Sequence, residues 1–151
     1  MLKINSIIKE SIVDGEGLRY VIFVQGCPHH CKGCHNPQTW RTDKGHAVTI
    51  ESLLDDIKKN PLLDGVTFSG GEPMLQSEAL TELAKEIKKL GLNIWCYTGF
   101  KYEDIKESKK DFLKYIDVLV DGKFIEELKC LGEYYGSSNQ RNIKLWDLKI
   151  N

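Results

Sequence analysis

Apolar positions along this chain fall into two alternating patterns, short continuous runs and segments with helical period. Residues 19–25 (RYVIFVQ) form an unbroken, β-branched-rich run, the signature of a strand covered on both faces. Residues 51–59 place Leu53, Leu54 and Ile57 on one helical face, with Thr49 available as N-cap. Residues 65–69 (GVTFS) predict a short strand that runs into glycines. Residues 77–90 carry Leu80, Leu83, Ala84, Ile87 and Leu90 at helical spacing, closed by Gly91 at C′. A strand at 93–98 (NIWCYT), one or two short helices over 102–115 and a strand at 116–120 (IDVLV) follow. Residues 142–146 offer a last strand, and no internal repeat or low-complexity block interrupts the series.

Strands that alternate with helices pair in parallel through crossovers. In such α/β folds the ligand site lies at the carboxyl ends of the strands. The unusual residues collect there: a cysteine loop after the first strand, SGGEP after the second, TG after the third and DGK after the fourth. About five strands cannot close an eight-stranded barrel, so a mostly parallel sheet forming a partial (incomplete) β/α barrel is expected, in a single domain over 1–151.

Composition narrows the picture without changing it. With 151 residues, 41% hydrophobic and 28% charged, the chain has the profile of one globular domain. Its 21 Lys+Arg and 22 Asp+Glu leave a net charge of −1, which gives no electrostatic case for nucleic acid or membrane partners. No apolar run approaches the ~20 residues of a membrane span. The opening MLKINSIIKESIVDGEG has neither an apolar h-region nor a cleavage site, which predicts no secretory signal and a cytoplasmic protein.

The candidate chemistry lies in VQGCPHHCKGCHN, where Cys27, Cys31 and Cys34 stand in a C-x3-C-x2-C array. Cys96 and Cys130 are isolated and read as small semi-apolar residues. A clustered odd set in such a chain points to metal or catalysis rather than to a disulfide framework. Three readings fit the spacing. Structural zinc needs a fourth ligand, which His29, His30 or His35 would have to supply. A thiol redox pair at Cys31 and Cys34 leaves Cys27 without a role. An iron–sulfur cluster held by three thiolates would keep one iron open to an exogenous ligand.

The cysteine array after one strand and Gly70-Gly71-Glu72-Pro73 after the next resemble the radical S-adenosylmethionine (SAM) superfamily. Asp14-Gly15-Glu16-Gly17 with Arg19, then His35-Asn36 and Thr39-Trp40, are similar to the glycyl-radical-enzyme activating proteins, in particular the branch serving anaerobic ribonucleoside-triphosphate reductase. That resemblance runs from about Ser6 to Arg141 and includes the late 136–141 segment, GSSNQR. It implies that Cys27, Cys31 and Cys34 ligate three irons of a 4Fe-4S cluster, with SAM on the fourth. Reductive cleavage of SAM to a 5′-deoxyadenosyl radical would then convert a glycine of the large reductase subunit, a protein substrate, to a glycyl radical. A low-potential donor such as flavodoxin would supply the electron.

The same resemblance assigns SAM contacts to Ser69, Gly70, Gly71 and Glu72, where glycines let the main chain approach a ligand closely. Glu72 would either offset the charge of SAM or fix its loop by hydrogen bonds. Asp121 and Lys123 resemble an Asp-x-Lys motif, the lysine meeting the SAM carboxylate and the aspartate lying near the partner's glycine loop. Thr98-Gly99 would touch the ribose. Gly33 stands where many superfamily members carry an aromatic that packs on adenine, so backbone contacts from Gly33, Cys34 and His35 would reach the adenine instead, with Asn36 also among the cofactor-binding residues. Glu16 stands where proline is frequent. His29 and His30 are expected exposed on the cluster loop, with no ligand role, and His46 on the surface. The alternatives are activation of another glycyl-radical enzyme, radical SAM chemistry on a small molecule, and a zinc-binding interaction module.

Overall fold

A computed structural model describes residues 1–130 and 134–145. Its strands are β1 (Leu2–Ser11), β2 (Arg19–Val24), β3 (His46–Val48), β4 (Gly65–Gly70), β5 (Asn93–Tyr97), β6 (Val118–Asp121) and β7 (Arg141–Lys144). They form one sheet in the order β3-β1-β2-β4-β5-β6-β7. The central strands β2, β4, β5 and β6 pair in parallel, and antiparallel strands flank them on both sides. Helices α1 (Ile50–Lys58), α2 (Ser77–Lys89), α3 (Tyr102–Ile105) and α4 (Lys110–Leu113) fill the connections between the parallel strands.

The expected elements form for the expected reasons. The Thr49 hydroxyl accepts the Ser52 amide at 3.1 Å and starts α1, which buries Leu53 and Ile57. Helix α2 buries Leu80, Leu83, Ala84 and Ile87, and Gly91 follows its end with φ +80°. Leu90 caps α2 and is 40% exposed, so the buried face stops one residue short of the expected one. The segment 102–115 forms two one-turn helices.

Two strands are absent from the pattern-based reading. Strand β1 alternates buried and exposed only at its start. Register shifts between Ile4 and Ser6 and between Ile8 and Ser11 break the period-2 signal. Strand β3 has three residues and pairs on β1 alone. The last strand lies earlier than expected, at Arg141–Lys144, and the Trp146 end of the expected strand falls outside the described residues.

The sheet has two different faces. Tyr20, Ile22, Val24, Val66, Phe68, Ile94, Cys96 and Leu119 join the main core with the helices. The concave face presents Arg19, Thr67, Trp95 and Val118, with Val120 further along β6. Arg19 is fully buried there. Its Nε donates to the Thr67 hydroxyl at 2.7 Å, and its other nitrogens donate to the carbonyls of Glu16, Val66 and Asn93 at 2.8, 2.9 and 3.3 Å. The guanidinium also lies 5.6 Å from the Trp95 ring centre. Burial lowers its pKa to about 10. Thr67 in turn donates to the Asp14 carbonyl at 2.6 Å, so the DGEG loop is anchored on the floor of the half-barrel.

Replacing Arg19 with Leu removes the donor and leaves several buried acceptors unpaired. Urea unfolding should show a loss of about 3 kcal/mol. An unchanged midpoint would mean that the DGEG loop is held by other contacts.

Candidate active site

The carboxyl ends of β2, β4, β5 and β6 open into a cavity of about 440 Å³. Its wall includes Cys27, Cys31 and Cys34, with His35, Asn36, Ser69, Gly70 and Gly71 beside them. Thr98 and Gly99 line it as well, so ten of the expected site residues share one cavity. The cavity also takes Trp40 and Gln140, which belong to segments that carry the family resemblance, and Tyr97, Phe124, Tyr134 and Tyr135, which the sequence did not single out.

The cysteine loop is held at its base. Gly26 and Cys27 donate their amides to the carbonyls of Thr39 and Trp40 at 2.6 and 3.0 Å. The Gln25 amide group donates to the carbonyls of Gln38 and Arg41 at 3.1 and 2.7 Å. His30, exposed as expected, adopts φ +47° and stacks on Trp40 with ring centres 4.6 Å apart.

The three thiols are half-buried and free of disulfides. Burial pushes the thiols of Cys27 and Cys31 up. Opposing that, backbone amides of His29 and His30 face Cys27, the Phe124 amide faces Cys31, and the Lys123 ammonium lies close enough to favour the Cys31 thiolate. The Asn36 amide donates to Cys34 Sγ at 3.3 Å. Soft thiolates that receive N–H donors are the environment in which iron–sulfur clusters are held and their potentials set. Among the described residues no three His, Cys, Asp or Glu side chains converge on a single-ion position. Three half-buried thiols facing N–H donors are a donor set that fits an iron–sulfur cluster. Trp40 adds an indole Nε1 that is buried without a partner among the described residues, a donor available to a bound group.

The loop after β4 crosses the end of β2 in close contact. Gly70 has φ +117°, and a Cβ there would lie 2.4 Å from the Val24 backbone. A Cβ on Gly71 would lie 2.5 Å from the Gly26 carbonyl. The Gly71 and Glu72 amides donate to the carbonyls of Val24 and Gly26 at 3.2 and 2.8 Å. The two glycines thus bring the two loops together.

Glu72 lies behind the wall, its side chain fully buried. Its carboxylate meets four donors: His29 Nε2 at 2.7 Å, Thr98 Oγ1 at 2.7 Å, Gly99 N at 2.8 Å and Met74 N at 3.1 Å. Of the two roles expected for Glu72, the hydrogen bonds carry the loop-fixing one. The Thr98 hydroxyl, expected at a ribose, is committed to Glu72 and to the Phe100 amide at 3.2 Å. His29 corrects the expectation of an exposed loop residue, since its side chain is 6% exposed.

The remaining expected residues lie off the wall. Gly33 turns away with φ +76°, facing Glu126. Asp121 is 1% exposed, paired with Arg141, and accepts the Tyr102 amide at 2.8 Å. Lys123 is exposed, and its carbonyl accepts the Asn139 side chain at 2.8 Å. Gln140 ties Gly122 to Gly136 and Ser137, so the 136–141 segment buttresses the turn after β6.

A family described as a 4Fe-4S single cluster domain matches residues 13–143. An anaerobic ribonucleoside-triphosphate reductase-activating protein from Vibrio cholerae is 40% identical over 138 residues, covering 85% of this chain and 89% of that one. The protein of the same name from Enterobacteria phage T4 is 38% identical over 141 residues, 89% of this chain and 86% of its own. The chain belongs to the family of anaerobic ribonucleoside-triphosphate reductase-activating proteins. A pyruvate formate-lyase-activating enzyme from Clostridium pasteurianum is 40% identical over 140 residues, 87% of this chain but 57% of the relative. The crystal structure of QueE from Escherichia coli aligns with a TM-score of 0.54 at 25% identity, over 65% of this chain and 52% of that one. The half-barrel is therefore of the radical SAM type, and the family member is an enzyme whose cofactors are a 4Fe-4S cluster and SAM.

Gly70 and Gly91 both have positive φ, but a Cβ on Gly91 would meet nothing within 4 Å. Gly91→Ala should cost about 1 kcal/mol, the conformational strain alone. Gly70→Ala adds a backbone clash and should lose about 2 kcal/mol or more in the same unfolding measurement. Equal losses would mean that β2 and the β4 loop yield easily.

Proposed function

We propose that this chain activates anaerobic ribonucleoside-triphosphate reductase by generating a glycyl radical on its large subunit. The observation that carries the reading is the placement of Cys27, Cys31 and Cys34 on one cavity wall with Ser69, Gly70 and Gly71. Cys27, Cys31 and Cys34 would hold the cluster. Ser69, Gly70 and Gly71 would receive the amino-acid end of SAM, and Lys123, whose ammonium acts on Cys31, would meet its carboxylate. His35 and Asn36 lie beside them for its nucleoside end. When bound, cluster and SAM supply one-electron cleavage of the sulfonium and abstraction of a glycine hydrogen atom.

The chain's own residues orient and enclose. Backbone N–H groups at Cys27, Cys31 and Cys34 moderate the thiolates. Tyr97, Tyr134 and Tyr135 line the cavity and limit water there. The substrate glycine would enter from the open strand-end face, and a low-potential donor such as flavodoxin would deliver the electron. Among the described residues no helix is long and apolar enough to cross a membrane, and the proposed setting is the cytoplasm.

The likeness to a pyruvate formate-lyase-activating enzyme favours a second reading, in which the same chemistry serves another glycyl-radical enzyme. Anaerobic incubation with SAM, reductant and the large reductase subunit should give methionine and a glycyl-radical EPR doublet. Methionine without the doublet would move the substrate to the second reading. Zinc without iron or sulfide after anaerobic purification would overturn both. Alanine at Cys27, Cys31 or Cys34 should abolish methionine formation, whereas alanine at Cys96 or Cys130 should leave it in place.

A further inference from the structure

We infer that His29 is a positioning residue that latches the cysteine loop to the loop after β4 through Glu72. The latch sets the separation between the three thiols and the strand ends that receive SAM, so it rests on the functional reading above. His29 stands between Cys27 and Cys31, and its side chain is 6% exposed while its neighbours Pro28 and His30 are exposed. Its Nε2 faces Glu72 Oε1 at 2.7 Å, and its ring packs edge-on against Phe100 with centres 4.6 Å apart. Gly99 is shaped to this ring, since a Cβ there would lie 2.5 Å from His29 Cδ2. Three strand-end loops therefore converge on one imidazole–carboxylate contact.

Glu72 does not depend on His29 for its own satisfaction. Thr98, Gly99 and Met74 supply three donors without it. The contact is better understood from the side of the cysteine loop. Among the described residues, the other recorded side-chain ion pair from 28–33 is the exposed Lys32–Glu126 pair at 3.9 Å, and such a pair constrains little. A part-buried 2.7 Å hydrogen bond between ligand-bearing loop and cofactor-bearing loop does constrain their spacing. A side chain that orients metal ligands in this way affects affinity and geometry without touching the reacting atoms.

The test compares His29→Ala with His29→Gln, whose amide Nε2 reaches the same carboxylate. Iron and sulfide content, SAM binding by equilibrium dialysis and the SAM-induced change in the reduced-cluster EPR spectrum are measured on anaerobic protein. His29→Ala should keep iron and sulfide yet bind SAM about tenfold or more weakly and lose the spectral change. His29→Gln should return to within about threefold of wild type. Wild-type-like SAM binding in His29→Ala, or failure of His29→Gln to improve on it, would overturn the latch. Should His29→Ala not fold, Gly99→Ala displaces the same ring and should give the same loss in SAM binding, and wild-type-like binding there would overturn it. Where both single variants fold, the double variant should be no weaker than Gly99→Ala alone, and additive losses would overturn the latch. Wild-type protein that binds iron and sulfide but not SAM would instead overturn the functional reading.

Discussion

The buried carboxylate of Glu72 is the contact on which the site depends. A carboxylate taken fully out of water is tolerated only when donors replace its solvation, and here two side chains and two backbone amides from three loops do so. Each donor comes from a segment that also lines the cavity. Satisfying one buried charge thereby fixes the cysteine loop, the Gly-Gly-Glu-Pro loop and the Thr98-Gly99 turn relative to one another. The close approach of Gly70 and Gly71 to the end of β2 makes this convergence sterically possible.

The concave face of the sheet obeys a similar rule at its other end. Arg19 is buried and hydrogen-bonded to β4 and β5 and to the loop before β2, so the polar floor is cross-linked rather than merely packed. At the far edge, Arg141 on β7 pairs with Asp121 on β6 and Glu103 on α3. The pairing with Arg141 holds the exposed Glu103 carboxyl down at about 2. Hydrogen-bonded polar groups thus brace the half-barrel at its floor and its open edge, while the apolar core lies between sheet and helices. A half-barrel leaves an unclosed side, and the 136–141 segment buttresses the rim there through Gln140 and Asn139.

Much of the fold was legible because the central parallel strands are covered on both faces and so read as continuous apolar runs. The helices followed from period and caps, as at Thr49 and Gly91. Strand β1 was not legible, because two register shifts destroy its alternation. The three thiols and the double glycine were legible as chemistry. The partners of neighbouring groups were not: His29 looked like a surface residue, and neither the Thr98–Glu72 contact nor the Asp121–Arg141 pair shows in the local pattern.

The sequence by itself determined which chemistry the chain can hold, since three closely spaced thiols and a flexible glycine pair are local properties that spacing preserves. Tertiary structure alone decided which polar side chains serve that chemistry and which serve each other. His29 and Glu72 are 43 positions apart, and they meet because β4 lies beside β2 and brings its terminal loop under the cysteines. A buried polar group must find its partner wherever the topology puts one, and no local pattern encodes that address.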